Sequence, residues 1–133
     1  MRLIVDGMNV IGSRPDGWWR DRRGAMEALV GRLGALAQGD RQPVTVVFDG
    51  RPFELAAPAG GVDVVFAARR GRNAADDDIV ALVERTGQPA ELRVVTSDED
   101  LAGRVRALGA EVVGAGAFRR RLDALADRDR DYA

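Results

Sequence analysis

Five short stretches of the chain are almost continuously apolar: residues 2–5, 44–48, 62–66, 92–96 and 111–113. They are rich in valine and isoleucine and do not alternate with polar residues, which is the pattern of strands buried on both faces of a parallel sheet. Between them apolar residues recur at helical spacing: Ala25, Met26, Leu29, Val30, Leu33, Leu36 and Ala37, then Ile79, Val80, Leu82 and Val83, then Leu101, Val105 and Leu108. A last helix is expected from Ala117 through Leu122 and Leu125. Alternation of strands and helices predicts a three-layer α/β/α sandwich with right-handed crossovers. The Pro/Gly/Ala-rich connection over residues 50–61 is expected to be a loop. Residues 1–126 therefore read as one domain, and residues 127–133, where aspartate and arginine alternate, as a disordered tail.

Polar residues gain meaning from where this pattern puts them. Asp6 follows the first strand, Asp49 the second and Asp98 the fourth, and Asp76, Asp77 and Asp78 open the helix after the third. Open α/β sheets build sites outside the carboxyl ends of their strands, where the winding direction switches. If the first and fourth strands are neighbours, Asp6 and Asp98 meet there, and Asp76 leans over the same crevice. Carboxylates about 5 Å apart at an effective dielectric of about 20 repel by roughly 3 kcal/mol per pair. Such a cluster is tolerated when a divalent cation sits inside it or when one member keeps its proton. Oxygen-only ligands select Mg²⁺ or Mn²⁺.

Each of these acids also has a plain structural reading. Asp98 and Asp100 suit a helix start, as do Asp76, Asp77 and Asp78, and Asp49-Gly50 is a common turn pair. Asp6 fits these readings least, because Gly7 and Asn9 following it look like a loop. Asn9 is either a turn residue or one that positions a ligand oxygen. Recurrence of acids at equivalent strand ends shifts the balance toward function.

Composition narrows the chemistry. The 133 residues contain no cysteine, histidine or lysine, and all 20 basic residues are arginine. Thiol nucleophiles, disulfides, Ser-His-Asp triads, catalytic lysines and zinc sites built on imidazole or thiolate are excluded. The all-arginine usage itself reads most simply as a GC-rich coding sequence. A net charge of -1 hides a charged content of 31%, so attraction to nucleic acid must come from local clusters. Two exist. Arg69, Arg70 and Arg72 precede the Asp76 group, and residues 14–23 interleave Arg14, Arg20, Arg22 and Arg23 with Trp18 and Trp19. Guanidinium groups grip phosphates and indoles stack on unpaired bases, so both stretches suit a single-stranded track; the alternative is a solvated basic face with the tryptophans packed on the first helix. The short apolar N-terminal run, interrupted by Asp6, is neither a signal-peptide core nor a membrane span, so a cytoplasmic protein without membrane contact is expected.

The ordered set Val5-Asp6-Gly7-Met8-Asn9-Val10-Ile11-Gly12, Val46-Val47-Phe48-Asp49-Gly50, Ala75-Asp76-Asp77, Val95-Thr96-Ser97-Asp98 and Gly114-Ala115-Gly116-Ala117-Phe118 resembles the NYN/PIN-like ribonuclease superfamily, and within it the bacterial YacP-like branch. The resemblance implies a five-strand, mainly parallel sheet in the order 3-2-1-4-5 and a Mg²⁺- or Mn²⁺-dependent endoribonuclease site acting on single-stranded, messenger or ribosome-associated RNA. It makes Asp6, Asp76 and Asp98 metal ligands and catalytic acids, with Asn9 beside them. The chain departs from the pattern in two respects: Asp76 at best replaces the usual glutamate of many PIN domains, and no acid follows the fifth strand, so a four-acid site has to recruit Asp49, Asp77 or Asp100. An RNA-binding domain with weak or lost catalysis is the first rival. A phosphohydrolase or phosphate-signalling domain is the second, but the absent lysine disfavours a receiver domain, Met8 a phosphatase of the Asp-x-Asp type, and Asp6 in place of a glutamate a Toprim-like site.

Overall fold

The computed structural model describes residues 2–14, 17–49, 61–67 and 74–131, the last six of these by backbone alone. Its strands are β1 (Arg2–Asp6), β2 (Val44–Phe48), β3 (Val62–Phe66), β4 (Leu92–Val95) and β5 (Glu111–Val113). Its helices are α1 (Gly7–Gly12), α2 (Arg22–Asp40), α3 (Ala74–Thr86), α4 (Glu99–Ala107) and α5 (Ala115–Asp131), with short 3₁₀ turns at Trp18–Arg20 and Pro89–Glu91. The five strands form one all-parallel sheet in the order β3-β2-β1-β4-β5.

β1 is central because it is apolar on both faces. Leu3 and Val5 point into a core shared with α1, α2 and α5, while Ile4 points into one shared with α3 and α4. The sheet is thus covered on both sides, as parallel sheets require. β1 has β2 on one side and β4 on the other, with Asp6 in register with Val47 and Val5 with Val95. The direction of winding changes between β1 and β4, so the crevice of an open sheet falls where the sequence pattern expects it.

One local expectation is corrected. The segment after Asp6 is not a loop but α1, which starts immediately at Gly7. Gly7, Asn9 and Gly12 are poor helix formers, but Val10 and Ile11 are buried against α2 and α5, and this packing stabilises the turn. Gly7 also lets the helix approach the sheet closely, since a Cβ there would overlap the Phe48 ring and stand 3.0 Å from Val46 Cγ2. At the C-terminus α5 starts at Ala115 and its backbone is helical through Asp131. The connection over residues 50–60 lies outside the described residues.

A candidate acid site at the carboxyl edge of the sheet

Asp6, the last residue of β1, is 5% exposed, and its backbone sits at the N-cap of α1 without its side chain capping that helix. Instead, Thr96 just beyond β4 donates its hydroxyl to Asp6 Oδ2 at 2.9 Å, and the same oxygen of Thr96 accepts the Asp98 amide at 3.1 Å. Thr96 is 1% exposed, so this bridge is dry. One threonine hydroxyl therefore joins the ends of the two strands that flank the switch point. Sequence reasoning passed over Thr96; its place between a buried strand and Ser97-Asp98 was the available signal.

The remaining groups are fixed by similar short links. The Asn9 side-chain oxygen accepts the Ser97 amide at 2.7 Å, and Ser97 Oγ accepts the Ala115 amide at 2.8 Å, tying α1, the end of β4 and the start of α5 together. Asp98 caps α4 by accepting from the Leu101 amide at 3.0 Å, so its capping role is real, and its side chain remains part-exposed. Asp49 accepts the Ala75 amide at 3.0 Å and thereby holds the start of α3, while its carbonyl accepts from Arg22 at 3.3 Å. Asp76, at 8% exposure, lies in the first turn of α3. Asp77 faces outward and pairs with Arg104 at 3.1 Å, and Asp100 is exposed in the first turn of α4.

Electrostatics show which of these acids sense one another. Burial is the main cause that pushes Asp6 up to about 6; repulsion from Asp76 and Asp49 adds to it, and the hydrogen bonds from Thr96 and the Asn9 backbone oppose it. Asp76 is also pushed up to about 6, first by burial and then by Asp98 and Asp49, against the attraction of Arg104. Asp49 thus acts on both raised acids, a larger place than its reading as a turn residue suggests. Four carboxylates, from β1, the ends of β2 and β4, and α3, form one repelling group. Perturbed acids gathered in a crevice mark a functional site more often than a structural one.

The donor chemistry of this group, four hard oxygen anions of which only Asp76 feels an opposing charge, that of Arg104, among the causes that shift the two raised acids, fits a divalent cation. Among the described residues, however, no three acidic side chains close around a single point at metal-holding distance. Arg14 and Trp18 lie on the α1/α2/α5 side of the sheet, bordering one cavity, while Arg69, Arg70 and Arg72 lie outside the described residues. Among the described residues no helix is long and apolar enough to cross a membrane.

Comparison with known proteins agrees with this architecture. The crystal structure of Rae1 (YacP) from Bacillus subtilis superposes with a TM-score of 0.80 at 24% identity, covering 99% of this chain and 79% of that one. Its W164L mutant gives 0.76 at 25% identity, covering 96% and 77%. A search of curated proteins finds no match. Residues 3–132 match the family described as the YacP-like NYN domain. NYN domains are a nuclease-type fold family, generally hydrolases that use divalent metals and are associated with RNA cleavage. From β1 to the end of α5, this chain belongs to the YacP-like NYN domain family.

Proposed function

We propose that the protein is a metal-dependent endoribonuclease that hydrolyses RNA phosphodiester bonds at the carboxyl edge of its sheet. The observation that carries this reading is the coupled group Asp6, Asp49, Asp76 and Asp98, two of whose members are raised to about 6 by burial and mutual repulsion. Such a group carries an energetic cost that a purely structural surface would not retain.

Asp6, Asp76 and Asp98 would hold Mg²⁺ or Mn²⁺, with Asp49 completing the negative charge on the α3 side. A bound ion supplies charge neutralisation for the scissile phosphate. The chain's own residues do the rest. Thr96 and Asn9 fix the acids' carriers, through the Asp6 bond and the Ser97 bond. With no histidine or lysine in the chain, the proton released when water adds to phosphorus and the P–O bond to the leaving oxygen breaks passes to solvent or to an aspartate of the group that is not holding the ion. Arg69, Arg70 and Arg72, in the connection leading to α3, together with Arg14 and Trp18, would hold the flanking strand. With messenger or ribosome-associated RNA as substrate, the protein works in the cytoplasm.

Asp6→Asn and Asp98→Asn each should lower Mn²⁺-dependent cleavage of single-stranded RNA on the order of 100-fold or more. Wild-type rates in both variants would overturn the proposal. The open spacing of the acids favours one second reading, an RNA-binding domain with weak catalysis. RNA binding without cleavage across Mg²⁺ and Mn²⁺ titrations would select it.

A further inference from the structure

A cavity of about 90 Å³ lies on the α1/α2/α5 side of the sheet, away from the acids but joined to them by α1. Its floor is apolar, formed by Leu29 and Leu122, both buried, and Trp18 borders it. Its rim is basic: Arg14, Arg32 and Arg119 line it. Arg14 pairs with Asp123, which also lies 3.5 Å from Arg32, and Arg119 donates to the Ser13 carbonyl. Two guanidinium groups therefore share one carboxylate and the third is tied to a backbone carbonyl, and these bonds hold them in place around the opening.

An apolar floor with an aromatic wall and a rim of arginines suits a flat ring that carries a phosphate. Unpaired RNA bases are recognised in this way, by aromatic and guanidinium planes with cations on the backbone. Trp19, 62% exposed, stands edge-on to Trp18 with ring centroids 6.0 Å apart and offers an adjoining surface for a neighbouring base. Position supports the same occupant. Asp6 precedes α1, and Val10, four residues on, lines the cavity, an axial separation of about 6 Å. A strand crossing the acids has only to pass along one turn of α1 to reach it.

We infer that this cavity is a subsite for one unpaired nucleotide of the RNA, its base between Trp18 and the Leu29/Leu122 floor and its phosphate at Arg32 and Arg119. The inference rests on the ribonuclease reading and extends it: the site accepts single-stranded and not paired RNA because a paired base cannot enter. None of the cavity arginines belongs to the acid site.

The test is binding of a fluorescently labelled short single-stranded RNA, and of the same sequence in a duplex, to the full chain at neutral pH with EDTA to prevent cleavage. Arg32→Gln removes rim charge, and Ala28→Leu, at an exposed lining position on α2, narrows the mouth without touching the core. Each variant should weaken single-strand binding about tenfold, leave the weaker duplex binding unchanged and reduce the Trp fluorescence change on titration. Single-strand binding as tight as wild type in both variants would overturn the subsite even if cleavage at the acids is intact. Equal loss for single strand and duplex would also overturn it, since the arginines would then be acting as general surface charge. Absence of both RNA binding and cleavage in the unmodified chain would instead overturn the ribonuclease reading beneath it.

Discussion

The two ends of the same sheet treat charge in opposite ways. At the amino end, opposite charges meet in the open: Arg93 pairs with Glu111 at 3.0 Å across β4 and β5, and Arg2 lies 3.9 Å from Asp63, with all four side chains substantially exposed. At the carboxyl end, like charges gather, and the two most affected, Asp6 and Asp76, are buried. The first arrangement adds little, as exposed pairs do, although Arg2 Nε is buried there without a hydrogen-bond partner among the described residues. The second holds two carboxyls against their charged forms, first by burial and then by repulsion. A ligand of positive charge would relieve the carboxyl end and do nothing for the amino end.

The sharpest way to break this contrast is catalytic. Asp76→Asn should reduce RNA cleavage on the order of 100-fold, while Arg93→Ala leaves it unchanged; similar losses in a single-turnover assay would mean that the two ends are not functionally distinct. Stability should respond in the opposite sense. The Asp6 carboxyl is held at about 6 against an ordinary 3.8. The folded state therefore binds this proton more tightly than the unfolded chain does, and the contribution is favourable at low pH, declines as pH rises between those two values, and is lost above the higher one. Asp6→Asn should stabilise the metal-free protein by about 2–3 kcal/mol near neutrality, with the gain vanishing in more acidic buffer; urea unfolding across a pH series measures it. A destabilised Asp6→Asn near neutrality would show that the cluster is not under repulsive load.

A smaller effect is expected at Thr96→Val, which keeps the shape of the side chain but removes the hydroxyl between Asp6 and the Asp98 amide. Loss of a buried hydrogen bond to a charged group should cost about 1.5–3 kcal/mol at neutral pH, and the Asp6 titration followed by NMR should move further upward. An unchanged titration would mean that Thr96 does not hold Asp6. The smallest effect belongs to Arg93→Ala on stability, at about 0–1 kcal/mol and shrinking with added salt, which thermal unfolding at two ionic strengths would detect.

The sheet was legible because its strands are apolar on both faces and the helices between them carry regular apolar stripes; Ile79, Val83, Leu101 and Val105 all lie in the core as their spacing requires. The strand order needed the resemblance, because periodicity alone does not say that β1 lies between β2 and β4. Helix α1 was not legible, since Gly7, Asn9 and Gly12 speak against a helix and only the packing of Val10 and Ile11 overrides them. The acids were found from their positions at strand ends. Repulsion among Asp6, Asp76 and Asp98 was expected as well. The parts of Asp49 and Thr96 were not, because the reach of Asp49 toward both Asp6 and Asp76 depends on where α3 starts, and the hydroxyl of Thr96 between Asp6 and Asp98 depends on two strands that are distant in sequence. The arginine cluster at residues 14–23 was legible as a basic stretch, but the place of Arg32, further along α2, and of Arg119 on α5 at the same cavity was not.

The tight seat of Gly7 against Phe48 has a consequence for scale. A helix that cannot slide on its sheet has fixed ends, so if a base sits in the proposed cavity beside Val10 and a phosphodiester lies over the start of α1, the two are a set distance apart. Cleavage would then fall at a constant offset from the gripped nucleotide, whatever the sequence between them.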